Sequence, residues 1–352
     1  MQSPWKELIS LPVYLWGRSF IGERWEDVAA FCREEVLDGV ELYIGYEDLS
    51  PSDVPAGLVQ GVHLPFHSGW LEMMEEGQGK QRGRETVANT RRTGEVTICG
   101  SEGAVRFEPP FFAFSTHQDY VVALRLQLER AARLHAGYAV YHLGYYHTAE
   151  MFTRTYGRDD RDVLERAAVF LNELMADFPG NEPPVTLMFE NLWYPGLTYT
   201  DPDACLAFMD QLEFSDYGFL LDTGHLMNCI ATSDREEDCI ATVCDCIETL
   251  PREVLNRIDV VHLHWSGSHS LRQERIRRGI PNGYNCMQRH DQGAFEYQHA
   301  TLIDQHRPLS LPEARIMVEI ACPSVIVHEC IPKTLDDLTM FLALQRGALT
   351  RE

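Results

Sequence analysis

The sequence contains no apolar run long enough to cross a bilayer, and its first residues lack the basic stretch and hydrophobic segment of a signal peptide. We therefore expect a cytoplasmic protein with no membrane partner. Low-complexity tracts are also absent. The 352 residues are 45% hydrophobic and 24% charged, a mixture that excludes disordered and collagen-like chains and can bury a large core.

Cysteine pairs with the CxxC spacing of a structural zinc site are absent too. The chain has 10 cysteines, and they are scattered along its length. We expect reduced, mostly buried thiols rather than a disulfide framework.

Basic residues are scarce. The chain has 30 lysines and arginines against 53 acidic residues, a formal net charge of −23. A surface this acidic repels phosphate backbones unless the basic residues are concentrated at one place. The composition therefore argues against nucleic acid as a partner.

Short apolar runs bounded by Gly, Pro or Asp alternate with segments of helical periodicity. Eight such runs predict a parallel sheet closed into a (β/α)₈ barrel, an α/β fold that normally forms one domain of this length, here residues 1–352. The predicted strands are Leu11–Gly17, Gly39–Ile44, Gly61–Phe66, Tyr138–Gly144, Val185–Asn191, Gly218–Thr223, Ile258–Trp265 and Ser324–Cys330.

Two segments do not fit the barrel repeat. Residues 70–116 predict a β-hairpin lid on a flexible stalk, and residues 266–301 predict an Arg-rich loop. Both follow a predicted strand, so we expect both at the C-terminal face, where barrel active sites lie.

Metal-ligating side chains recur at one end of successive strands. A single histidine or carboxylate of this kind is more often a hydrogen-bonded structural residue than a ligand. Nine around one mouth would be strongly desolvated without cations, which favours a metal cluster. The predicted ligands are His63, His142, Glu190, Asp222, His225, His262, Asp304, His306 and Glu329.

Oxygen and nitrogen ligands without sulfur suit divalent zinc, with manganese or iron as alternatives. Because one ion uses three to six ligands, nine predict two or three ions. Such clusters bind phosphoryl oxygens and activate water, so hydrolysis of a phosphoester is the natural reaction.

The order His, His, Glu, Asp-x-x-His, His, Asp-x-His, Glu resembles the xylose isomerase-like TIM barrel superfamily. It is most similar to the endonuclease IV (AP endonuclease family 2) branch, and the superfamily also contains sugar phosphate isomerases and epimerases. The resemblance spans about residues 11–349 outside the two insertions. The acidic net charge, both insertions, and His264-Trp265 in place of the usual Asn-Asp depart from the DNA-repair members.

The resemblance implies a role for each ligand. Glu190 would bridge two ions, His63 and His142 would complete the first site, and Asp222, His262 and Glu329 the second. The third ion would be held by His225, Asp304 and His306.

Both insertions carry basic clusters. Residues 78–94 and residues 271–289 each contain five basic residues against one acidic residue, which predicts an anionic small-molecule substrate held from above. Alternatively, these are solvated loops that balance local acidity. The predicted substrate-binding residues are Arg275, Arg277, Arg278, His67, His147 and Trp265.

The sequence thus predicts a phosphoesterase in which Glu190, Asp222 and Glu329 are catalytic. The alternative enzyme is a sugar or sugar-phosphate isomerase or epimerase with one divalent ion, in which Glu190 and Glu329 transfer protons. A metal-dependent binding or sensor protein and a DNA-repair enzyme are further alternatives. The sequence does not define the oligomeric state.

Overall fold

The computed structural model describes residues 4–45, 49–80, 96–100, 103–107, 116–147, 149–287 and 289–350. Within these ranges, eight parallel strands close into a barrel in the order β1-β10-β9-β8-β7-β6-β3-β2. The predicted (β/α)₈ fold is confirmed. The barrel strands are β1 (Lys6–Pro12), β2 (Gly39–Tyr43), β3 (Val59–His63), β6 (Tyr138–His142), β7 (Thr186–Glu190), β8 (Tyr217–Asp222), β9 (Ile258–Leu263) and β10 (Val325–His328).

The first predicted strand, Leu11–Gly17, is wrong in position. Strand β1 ends at Pro12, and Leu15–Gly17 forms a short 3₁₀ helix instead. Leu11 and the residues after it belong to one continuous apolar run, which hides the boundary, and proline has no backbone N–H with which to extend a ladder.

Helices cover the outside of the barrel, and several begin at an N-cap that the sequence provides. Asp159, Asp201 and Thr334, for example, each accept a hydrogen bond from a backbone N–H in the first turn of the helix that follows. The described helices outside the two insertions are α1 (Trp25–Glu34), α3 (His117–Arg133), α4 (Glu150–Thr153), α5 (Asp160–Met175), α6 (Pro202–Gln211), α7 (Thr223–Ile230), α8 (Glu236–Glu248), α9 (Arg252–Leu255), α12 (Ala314–Ala321) and α13 (Leu335–Leu349).

The first insertion begins with helix α2 (Trp70–Lys80), where the sequence analysis expected a flexible stalk. Trp70, Leu71 and Met74 are buried, so this helix packs on the body of the protein. Strands β4 (Val96–Gly100) and β5 (Gly103–Phe107) then pair antiparallel as a hairpin.

The second insertion was expected to be a loop, but most of it is helical. It contains α10 (His269–Arg278) and most of α11 (Arg289–Ile303). Its Arg, Gln and Glu residues are strong helix formers, and three arginines in the last turn of α10 oppose the negative end of the helix dipole. Gly279, at φ 66°, ends that helix.

The hydrophobic core of the described residues has three parts. A large layer lies between the strands and the helices, a smaller cluster fills the barrel interior, and a third cluster includes Tyr146, Trp193 and Ile303. The interior cluster includes Val140, Met188, Leu220, Val260 and Val327. It closes the barrel below the site described next.

In the part of the chain that the structure describes, no helix combines the length and apolarity that a membrane span requires.

Candidate metal centre

The candidate ligands form a layer directly above the apolar cluster that fills the barrel interior. We call this cluster, which includes Val140, Met188, Leu220, Val260 and Val327, the apolar plug. Because strand side chains alternate between faces, the residue two positions after an inward residue also points inward. The plug residues on five strands are therefore followed at this spacing by His142, Glu190, Asp222, His262 and Glu329.

Glu190 lies at the centre of the layer and is completely buried. Its Oε2 lies 3.1 Å from Nε2 of His63 and 3.1 Å from Nε2 of His142. The Nδ1 atom of His63 hydrogen bonds with the backbone oxygen of Leu64 at 3.0 Å, which fixes the ring orientation. These three side chains form the first candidate group of ligands.

The other oxygen of Glu190 faces helix α7. Oε1 lies 3.1 Å from Nδ1 of His225. Asp222 caps this helix by accepting a hydrogen bond from the backbone N–H of His225 at 2.6 Å, so the Asp-x-x-His spacing places both side chains at the start of one helix. The amide of Asn191 holds the backbone of Asp222 on both sides, donating to its oxygen at 3.1 Å and accepting from its nitrogen at 2.7 Å.

Asp304 and His306 complete the far side of the layer. Oδ2 of Asp304 lies 3.0 Å from Nε2 of His306 and 3.2 Å from Nε2 of His225, and Oδ1 accepts a hydrogen bond from Ser266 at 2.9 Å. His306 has a φ of 45°, a strained value for a residue with a side chain.

His262 links the ligand layer to a carboxylate that the sequence analysis missed. Its Nδ1 faces the centre, 3.4 Å from Oε2 of Glu329, while its Nε2 lies 2.9 Å from Oε1 of Glu41. Glu41 is fully buried and accepts a hydrogen bond from the hydroxyl of Tyr138 at 2.8 Å. The only sequence signal for Glu41 is a charged residue inside an apolar strand.

His264 also reaches the layer, although the sequence analysis did not count it among the nine ligands. Its Nε2 lies 3.1 Å from Oδ2 of Asp222 and 3.5 Å from Oε2 of Glu329. It follows His262 by two residues, and strand alternation therefore predicts that both side chains point into the barrel. Candidate ligand groups in the described residues therefore include Asp222–His264–Glu329 and His264–Asp304–His306, besides two groups that contain Glu190.

Carboxylates and imidazoles adjoin one another across the layer. Burial alone would raise the pKa of Glu190, but the neighbouring imidazoles of His142 and His262 hold it well below its usual range. Burial would lower the pKa of His306, yet the carboxylates of Asp304 and Glu329 raise it to about 9. The carboxylates are therefore ionised at neutral pH, which is the form that binds metal, whereas an imidazolium such as that of His306 would release its proton when an ion binds.

The buried polar atoms show that the layer fits divalent cations. Among the described residues, Glu190 Oε1, His262 Nδ1 and Glu329 Oε2 are buried without a hydrogen-bond partner. The His262 nitrogen lies 3.6 Å from this Glu190 oxygen and 3.4 Å from this Glu329 oxygen. Ligands about 2.0–2.2 Å from a shared zinc ion are separated by roughly 3–3.5 Å, so these atoms already have the spacing that an ion requires.

The predicted substrate-binding residues are dispersed. Trp265 is buried and stacks on the guanidinium of Arg307 at 3.9 Å. Arg277 and Arg278 are exposed, and Arg278 forms an ion pair with Glu274 on its own helix, whereas Arg275 is half-buried. Arg82, Arg84, Arg91 and Arg92 of the first insertion lie outside the described residues.

His67 and His147 lie on the loops that follow β3 and β6. The His67 ring is half-buried, and its Nδ1 accepts a hydrogen bond from the backbone N–H of Gly69 at 3.1 Å. His147 is exposed and borders a cavity of about 430 Å³. Tyr146, which lines this cavity, packs on Phe66 with ring centroids 6.3 Å apart, and Phe66 in turn packs on His142. The cavity is lined by Ser68, Gly69, Glu72, Tyr146, His147, Asn285 and Gln292.

Solved structures share this architecture. Endonuclease IV from Thermus thermophilus is similar with a TM-score of 0.50 and 17% identity, and the match covers 98% of each chain. The 3-keto-D-glucoside 4-epimerase from E. coli is similar with a TM-score of 0.51 and 10% identity, again covering 98% of each chain. Both are enzymes, and at these identities the likeness shows the fold alone.

No curated protein matches the chain in sequence. The profile of one family does match, over residues 57–302. Because this range is more than half of the chain, the protein belongs to the xylose isomerase-like TIM barrel family.

Proposed function

We propose that this protein is a metal-dependent phosphoesterase that cleaves a phosphodiester bond in a small anionic metabolite. One observation carries the proposal. The ligands form adjoining groups around Glu190, around Asp222 and Glu329, and around Asp304 and His306, rather than one isolated group. This arrangement supports two or three ions, with zinc the expected metal and manganese or iron as alternatives.

Each group has a chemical task in this proposal. Bound divalent ions supply Lewis-acid polarisation of a phosphoryl oxygen and lower the pKa of water. Glu190 directs Oε2 toward His63 and His142 and Oε1 toward His225, so its carboxylate is placed to be shared between two ions.

Glu329 has the most accessible of the four inward carboxylates, with 16% of its side chain exposed. The oxygen of this carboxylate that is not engaged with an ion would accept a hydrogen bond from the attacking water and orient it toward phosphorus. Asp222 is held in place by Asn191 and by the helix that it caps.

The experiment combines metal analysis with an assay on bis(4-nitrophenyl) phosphate. We expect at least two ions per purified chain, hydrolysis of the diester, and a loss of at least about 100-fold in His306→Ala. His328→Asn, which removes a buried histidine on the outer face of the barrel, is the matched control and should retain metal. A protein with fewer than two ions and no activity on phosphodiesters would contradict the proposal.

A second candidate is a sugar or sugar-phosphate isomerase or epimerase with one Mn²⁺ or Mg²⁺. The cavity that His147 borders supports it, because the described lining residues offer hydroxyl, amide, imidazole and carboxylate groups but no lysine or arginine. In that case Glu190 and Glu329 would transfer protons at carbon. Epimerisation of ketohexoses with Mn²⁺ that survives His306→Ala but not Glu329→Gln would establish this alternative.

A further inference from the structure

We propose that Arg272 of the second insertion is a positioning residue for the metal centre: it holds the far end of helix α7 and thereby aligns His225, at the near end, with Asp304. The inference rests on the metal requirement of the proposed function but not on the reaction that the metals serve. It gives this part of the insertion a task different from the substrate binding that its basic composition predicts.

Helix α7 depends on contacts at its two ends. It has 8 residues, and a helix this short is not stable by itself. Asp222 caps the first turn, and His225 in that turn directs Nε2 to Oδ2 of Asp304 at 3.2 Å. The direction of the helix axis therefore determines where the imidazole of His225 lies.

Two arginines hold the opposite end of this helix. Arg272 donates from Nη1 to the backbone oxygen of Asn228 and from Nη2 to that of Ala231 at 2.5 Å. Arg154, which follows α4, donates to the same Asn228 oxygen at 2.7 Å. The carbonyls at a helix C-terminus lack partners within the helix, and the dipole favours cations there. The two guanidinium groups therefore fix the end of α7 from two different segments of the chain.

Arg272 is held by these helix carbonyls rather than by an acidic side chain. It is buried, and no carboxylate of the described residues pairs with it. Burial and the neighbouring charge of Arg154 lower the pKa of Arg272 from 12.5 to about 10, so the side chain is still charged at neutral pH. Because the two guanidinium groups repel each other, replacing one of them relieves a repulsion as well as removing hydrogen bonds. We therefore expect the protein to fold without Arg272.

The segment that carries Arg272 also contacts the ligand Asp304. Ser266 donates from Oγ to Oδ1 of Asp304 at 2.9 Å. Ser268 donates from Oγ to Oδ1 of Asn228, also at 2.9 Å, and both serines are buried. One short stretch of the second insertion thus bridges Asp304 and the far end of α7, and it defines the position of both.

The test uses the full chain stripped of metal and titrated with Co²⁺, whose visible absorption reports the ligands of each ion. Arg272→Met keeps an apolar side chain but removes the donors, so it should weaken binding of one ion about tenfold and change the part of the spectrum due to that ion. Arg272→Lys restores a charged donor and should recover part of the affinity. The matched control is Arg278→Met, an exposed arginine of the same helix, which should bind Co²⁺ as the wild type does.

A double variant separates positioning from a general effect on stability. In His225→Ala the imidazole that Arg272 positions is gone, so adding Arg272→Met should weaken Co²⁺ binding little further. An equal tenfold loss in both backgrounds would refute the positioning role.

The outcomes also distinguish this inference from the proposed function. If the wild-type chain binds no Co²⁺, the metal-dependent function fails and this inference fails with it. If the wild-type chain binds Co²⁺, but Arg272→Met leaves affinity and spectrum unchanged or weakens every ion equally, only the positioning role is refuted. If circular dichroism shows that Arg272→Met does not fold, Arg154→Met, which removes the other donor to Asn228, decides by the same criteria.

Discussion

Two neighbouring residues of one strand end, His328 and Glu329, face opposite sides of the barrel wall and have opposite surroundings. On the outer side, Nδ1 of His328 accepts a hydrogen bond from Gln345 at 2.8 Å, and its Nε2 lies 3.4 Å from the carboxylate of Glu7. Arg346 donates to the same carboxylate at 2.7 Å. On the inner side, Oε2 of Glu329 is buried without a hydrogen-bond partner among the described residues.

The difference shows how a structural network of buried polar groups can be distinguished from a binding site. Buried polar and charged groups are costly unless they are paired, and the outer network achieves this with protein atoms alone. The inner layer has comparable burial but keeps unsatisfied oxygen and nitrogen atoms at metal-ligand spacing. It therefore fits a role in binding cations, whereas the outer network fits a role in stability.

The largest expected effect comes from removing the central carboxylate. Glu190→Gln should reduce turnover of the phosphodiester by about 10² to 10³ or more, on the order seen when a main electrostatic group of an active site is lost. Metal content should fall in parallel. The control is Glu7→Gln in the outer network, which should keep its metal, and normal metal content in Glu190→Gln would refute the role of Glu190.

A smaller loss of metal affinity is expected from substitutions of the residues behind the ligand layer. Glu41→Gln removes the charge that holds His262 with Nδ1 toward the centre, so metal affinity should fall about 10- to 100-fold. Tyr138→Phe deletes only the hydroxyl that donates to Glu41 and should have a weaker effect. Competition with a chromophoric chelator measures both, and unchanged affinity in Glu41→Gln would show that His262 is held by packing alone.

The outer network should contribute stability that depends on pH. Burial acts to raise the pKa of Glu7, but His328 and Arg346 outweigh it and lower the pKa from 4.5 to about 2. Glu7→Gln should therefore lower the free energy of unfolding by about 1–2 kcal/mol at pH 7. This difference should be lost as the pH falls from about 4.5 to 2, because the wild-type carboxylate becomes protonated. Urea unfolding at several pH values measures it, and a difference that persists at pH 2 would contradict the assignment.

The smallest effects are expected for the exposed arginines of the second insertion. Arg277→Ala and Arg278→Ala should change the free energy of unfolding by less than about 0.5 kcal/mol, since both are surface residues. We also expect less than about a threefold change in KM. A larger rise in KM with unchanged kcat would support the original prediction that these residues hold an anionic substrate.

Much of the barrel was predictable because its signals are local. Short apolar runs flanked by Gly, Pro or Asp locate most strands, and a charged residue at the end of such a run, such as Glu190 after Met188, marks the mouth of the barrel. The end of the first strand at Pro12 was predicted wrongly because an unbroken apolar run conceals it. The second insertion was predicted as a loop because arginine-rich segments are compatible with both helix and loop.

The contacts of Glu41 and His264 could not be predicted in the same way. Glu41 contacts His262, 221 residues later in the chain, so no local pattern connects them. The ring of His264 lies against Gly224 and His306, which come together only when the barrel closes. Residues of this kind are visible in sequence as unusual polar positions, but their partners are defined by the fold.

The most direct test of the account is an anomalous difference map, collected at the absorption edge of the bound metal from crystals of the zinc-loaded protein. The account predicts two or three peaks above the apolar plug, with one beside Glu190, His63 and His142 and another within ligand distance of Asp222, His264 and Glu329. A map with a single peak, or with none among these side chains, would contradict it.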